Sequence, residues 1–75
     1  MQRLGTVSRT AQNLLIVRCD DAEHPGIGAE AVDESLSTVG RVVDVFGPVS
    51  RPYVAVTPAG GVSAASVVGK RLYAR

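Results

Sequence analysis

The sequence predicts a small all-β protein, and three observations support that expectation. Short runs rich in Val, Ile, Leu and Thr recur at roughly ten-residue spacing, with Gly, Pro, Asn and Asp gathered between them. The densest run, LLIVRC at 14–19, is aliphatic and β-branched. Only Ala64–Val68 reads as helical, and then as a single turn. Five to six such strands describe an antiparallel barrel or a sandwich. Closure removes exposed sheet edges, which suits a chain with few lysines to guard them.

Leu4–Ser8 reads as a first strand, with Leu4, Thr6 and Ser8 alternating against Gly5 and Val7. Polar Thr10–Asn13 is expected to turn the chain into the strand Leu14–Cys19. Asp20–Gly28, DDAEHPGIG, is a loop by its Asp, Pro and Gly content. Ala29–Glu34 is a short strand that ends in the polar turn Glu34–Thr38. In Val39–Phe46, Val39, Arg41, Val43 and Val45 share one parity, while Gly40, Val42, Asp44 and Phe46 share the other. Apolar residues fall on both parities, as happens where a strand bends. Gly47–Arg51 is a turn, Pro52–Thr57 a strand, Ala59–Ser63 a loop and Arg71–Ala74 a final strand. Of the three aromatics, at least one is expected in the core, with Tyr73 a candidate.

Seventy-five residues allow one domain, 1–75, with a modest core and no deep interlobe cleft. An adaptor or binding module fits that size better than an enzyme. Net charge is +1, which argues against a stand-alone binder of naked nucleic acid. The basic set is mostly Arg, suited to planar hydrogen-bonded contacts. Cys19 is the only cysteine, so no internal disulfide forms, and its apolar neighbours mark it as a buried strand residue. MQRLGTVSRT does not resemble a signal peptide, and no apolar run is long enough to span a membrane. The chain is therefore expected in the cytoplasm.

Motifs for chemistry fail on context. Gly26-Ile-Gly28-Ala-Glu-Ala31 fits a loose dinucleotide pattern, with Asp44 further on. That pattern needs a strand before it and a helix after it. Here Glu23-His24-Pro25 precedes and a β-like stretch follows. Gly69-Lys70 lacks the first glycine of a phosphate loop and has Arg71 in place of Ser or Thr. His24, the lone histidine, sits among Asp20, Asp21 and Glu23 in a polar loop and reads as solvated. Asp33, Glu34 and Asp44 read as solvated strand ends. No catalytic set, metal site or cofactor is expected.

One stretch resists a generic reading. VGRVVDVFGPVSRPYVAV, residues 39–56, resembles the Gar subunit family of H/ACA ribonucleoproteins. Leu4-Gly5-Thr6-Val7 with Leu15–Arg18, Pro25–Gly28 with Val32-Asp33, and Val68–Tyr73 are similar to that family's flanking elements, in order. The resemblance implies a closed six-stranded antiparallel barrel like those of translation factors and reductases. It also implies a non-catalytic subunit that binds the pseudouridine synthase and its mobile thumb loop, contacts guide RNA only indirectly, and is a monomer within the particle. The expected effect is on substrate RNA loading and product turnover in rRNA modification. Without a glycine–arginine-rich stretch in these 75 residues, the sequence resembles the short archaeal form.

Residue chemistry fits that implication. Gly47 can take φ > 0 and Pro48 fixes φ, so Phe46–Val49 forms a stiff turn. Pro52 is tolerated at a strand start. Together these are expected to present Phe46, Pro48, Val49, Pro52 and Tyr53 as an apolar patch with little entropy to lose on docking. Two alternatives differ in class. A PRC-type barrel serving ribosomal RNA maturation would share VGRVVDV but not FGPV followed by PYV. A free-standing RNA-binding barrel would need more aromatics and more positive charge.

Overall fold

The computed structural model describes residues 2–20 and 22–75. Among these, the strands are β1 (Gln2–Ala11), β2 (Leu14–Cys19), β3 (Glu30–Val32), β4 (Thr38–Phe46), β5 (Tyr53–Pro58) and β6 (Arg71–Ala74). A short 3-10 turn, Ala64–Val67, precedes the last strand. The six strands close into an antiparallel barrel in the order β1-β2-β5-β4-β3-β6, which decides between barrel and sandwich. Asp21, grouped above with the loop carboxylates, lies outside the described residues, as does Met1.

Strands β2 and β6 occupy the spans predicted for them. Strand β1 is longer than predicted, and Thr10 and Ala11 belong to it, paired with Leu15 and Leu14. The turn shrinks to Gln12 and Asn13, both left-handed at φ 52° and 66°. Two successive positive φ values match the right-handed twist of a tight hairpin, which explains why the polar stretch is shorter than its composition suggests. Strand β3 is also shorter than Ala29–Glu34. Asp33 leaves it to accept the backbone N–H groups of Ser35 and Ser37 on Oδ1, at 2.8 and 3.0 Å.

The mixed parity of β4 has a definite cause. Val42 pairs with Val56, and the next pair is Asp44 with Ala55, so Val43 is an extra residue in a bulge. A bulge resets the inward-facing parity by one. Gly40 and Val42 are buried before it, and Val45 packs on the core after it; Val39 reaches the core through a second irregularity, where Ala31 pairs with Gly40 and Val32 with Thr38. Val43 is left outside, 40% exposed.

The core is built from Leu4, Val7, Leu15, Val17, Val54, Val56 and Leu72, with smaller residues between them. Each fully buried Leu or Val is worth roughly 1.5–3 kcal/mol against exposure. Cys19 is buried at the end of β2, as expected. The expectation of an aromatic core residue fails: Tyr73 is only half-buried and no aromatic joins the core. A barrel of this few strands has a narrow interior. It narrows further where backbones touch: a Cβ on Gly5 or Gly40 would lie 2.1 Å from the carbonyl oxygen of Arg18 or Thr57. Aliphatic side chains fill that space, and rings are left to the surface.

Candidate docking site

Strands β4 and β5 end side by side at the pair Phe46 and Tyr53. The loop 47–52 joins them. Gly47 leads the chain out of β4 at φ 90°, a conformation that L side chains rarely adopt. A Cβ there would fall 2.9 Å from Tyr53 Cδ2, so the bare glycine also makes room for the tyrosine ring. Phe46 stacks on that ring with centroids 5.7 Å apart and planes 19° from parallel. Pro52 closes the loop from a buried position. Its carbonyl accepts the Cys19 N–H at 3.0 Å, tying the loop to the end of β2. The loop is thus held at both ends.

Between those anchors the loop is exposed. Val49 is 91% exposed at its centre. Phe46 and Val43 each expose about two-fifths of their surface. A groove of about 250 Å3 runs beside the loop, with Val45, Phe46, Pro48, Val49 and Pro52 on one side and Ala22 and His24 on the other.

Of the residues singled out from sequence, Phe46, Gly47, Pro48 and Val49 stand exposed together, and Tyr53 is half-buried beneath Phe46. Pro52 lines the groove from within, so it anchors the loop more than it faces outward. The structure adds Ala22 and His24. Ala22 and His24 reach the groove because their loop folds back on β4. Gly28 N–H donates to Val42 O at 2.8 Å, Val42 N–H to Ala29 O at 2.9 Å, and the Arg41 guanidinium to Gly28 O at 2.7 Å. No local motif announces that return. His24 is exposed as expected, with Nδ1 3.0 Å from the Pro25 carbonyl.

The other acidic residues do not assemble into a site with chemistry. Asp33 and Glu34 share a polar cleft of about 490 Å3 with Thr6, Lys70 and Arg71. Asp44 lies elsewhere and accepts the Val45 N–H at 2.9 Å. Among the described residues, no group of three or more His, Cys, Asp or Glu side chains is placed to hold a metal ion. The turn at Gly28 leads into β3 and not into a helix, which removes the dinucleotide pattern. No helix among the described residues is long and apolar enough to cross a membrane.

The fold is a small closed β-barrel with exposed apolar side chains on one anchored loop. This chain belongs to the Gar1/Naf1 RNA binding region family, whose model it matches over residues 1–75. That family consists of non-catalytic ribonucleoprotein proteins with an RNA-binding, H/ACA-associated role. The match sets the PRC-type alternative aside. An uncharacterized protein of the archaeon Methanothermobacter thermautotrophicus is 29% identical over 77 residues, spanning 97% of this chain and 82% of its own length.

Proposed function

We propose that this chain is the subunit that grips the pseudouridine synthase of an H/ACA particle through loop 47–52, in the cytoplasm, and promotes substrate RNA loading and product turnover. One observation carries the reading: the FGPV segment, which resembles the family's signature, holds Val49, at 91% the most exposed large apolar side chain among the described residues. Exposure of a valine at the centre of a loop held at both ends is costly in water and useful in an interface. Little conformational entropy remains to be lost when such a loop docks. The synthase supplies the chemistry, and its mobile thumb loop closes against the docked barrel. Guide RNA is met only through the enzyme.

Val49→Asp tests this. Val49 is 91% exposed, so the variant should keep its circular dichroism, with stability changed by less than about 0.5 kcal/mol. Docking would bury the wild-type side chain, worth roughly 1.5–3 kcal/mol, and a carboxylate there adds a desolvation cost. The expected loss of affinity for the cognate synthase is at least about a hundredfold, or about 3 kcal/mol. Wild-type chain that does not co-elute with the synthase refutes the reading. So does a Val49→Asp chain that binds as tightly as wild type.

A further inference from the structure

We propose that Arg18 completes the docking surface as its electrostatic anchor, receiving a carboxylate of the partner enzyme beside the Phe46–Tyr53 pair. The inference rests on the docking reading above and adds the chemistry of the partner's face.

Strand registers define the position. Phe46 pairs with Tyr53 across β4 and β5, and Tyr53 pairs with Arg18 across β5 and β2. Residues directly opposite in paired strands project from the same face of the sheet. This face is the outer one: Phe46 and Arg18 are exposed, while their neighbours Val45, Val17 and Val54 pack in or on the core. With strands about 4.8 Å apart, Arg18 stands one strand from the tyrosine and roughly 10 Å from the phenylalanine. A partner seated on the aromatic pair therefore also covers Arg18.

Arg18 is free to act there. Arg3 and Arg75 face Asp20 and Glu30, at 3.7 and 3.6 Å, and Arg41 is engaged with the Gly28 carbonyl. Among the described residues no carboxylate lies within ion-pair distance of Arg18. A guanidinium covered without a partner would be costly to desolvate, so a surface that docks here supplies an acceptor. A carboxylate matches the guanidinium fork in a bidentate contact. Single-stranded RNA is the competing anion, and the surface suits it poorly. Each ring already turns one face to the other and Tyr53 is half-buried, which leaves Phe46 as a single exposed ring where stacking on successive bases needs several, and the net charge is only +1.

Arg71 provides an internal control. It lies two strands beyond Arg18, paired with Thr6, which itself pairs with Arg18. It also shares a cleft with Asp33 and Glu34. Arg18→Glu and Arg71→Glu change net charge equally and differ in place and in the carboxylates nearby.

The test measures association of the full chain with the cognate pseudouridine synthase at about 50 mM and about 500 mM salt. Arg18→Glu should slow association about tenfold at low salt, with the gap closing at high salt. Arg18→Lys should keep the association rate and dissociate faster, because the charge stays and the fork is lost. Arg71→Glu should change the rate less than about threefold. Arg18→Glu binding like wild type at both salts, while Val49→Asp still fails, overturns the role of Arg18 and leaves the docking reading standing. Equal slowing by Arg71→Glu overturns it too, because net charge would then be the cause. A loss of oligouridine binding by Arg18→Glu, with synthase binding intact, assigns the residue to RNA and overturns it as well. Val49→Asp binding normally refutes the docking reading itself.

Discussion

Replacing Gly47 with alanine should damage stability and docking together, and the structure allows the size to be worked out. The residue sits at φ 90°, where an L side chain costs about 1–2 kcal/mol. The new methyl would lie 2.9 Å from Tyr53 Cδ2, so the ring must move. A ring pushed off its rotamer costs about 0.5–1.5 kcal/mol. Against this, alanine restricts the unfolded chain and returns about 0.4–1 kcal/mol. The net loss is about 0.5–3 kcal/mol, seen as a fall in Tm of roughly 4–8 °C per kcal/mol for a domain this small. Two other glycines separate the contributions. Gly69 has φ 88° with open space around its Cβ position, so Gly69→Ala reports the backbone strain alone. Gly60 has neither a positive φ nor a neighbour, so Gly60→Ala should be neutral or slightly stabilising. The assay is a thermal melt of each variant by circular dichroism, followed by synthase binding at a temperature where all are folded. Gly47→Ala should rank below Gly69→Ala in Tm and bind several-fold more weakly. If the two melt together, the glycine does not hold the tyrosine ring in place and the rigid-loop reasoning fails.

Leu72→Ala removes a fully buried side chain from β6 and should cost about 2–5 kcal/mol, lowering the urea midpoint; a loss under about 1 kcal/mol would mean the barrel collapses around the gap. Cys19 has no exposed surface, so its thiol should react with Ellman's reagent only at the rate of unfolding, and rapid labelling of the native chain would show β2 to be open there.

Strand existence was legible where aliphatic density and turn residues agree. LLIVRC became β2 without change, and the Asp, Pro and Gly cluster after it became a loop. Facing was less legible, because a bulge adds a residue without changing local composition. VGRVVDVF reads as an irregular strand in any case; only pairing with β5 shows that Val43 is the extra residue and that Val45 turns inward. The length of β1 is hard to read for a related reason. Its bulge between Val7 and Arg9 interrupts alternation just where the sequence pattern of the strand stops. The exposed position of Phe46 follows from the same bulge: Val45 turns inward, so its neighbour faces out opposite Tyr53, a register that no window of sequence contains. The docking loop was legible because glycine and proline constrain the backbone themselves. Arg18 was not, since its place beside Tyr53 exists only in the register of β2 with β5.

Strand β6 bridges β1 and β3, and among the six barrel strands it comes last in chain order. Until residue 74 leaves the ribosome, the nascent sheet has two unpaired edges, one along β1 and one along β3. Synthesis at about 5–20 residues per second keeps those edges open for seconds, far longer than a hairpin takes to form. During that interval the open edges can pair with another chain before their own partner strand exists. Closure is then a race between the first strand meeting the last and any neighbouring chain arriving first, so yield on overexpression should depend on translation rate more steeply than on the stability of the finished barrel.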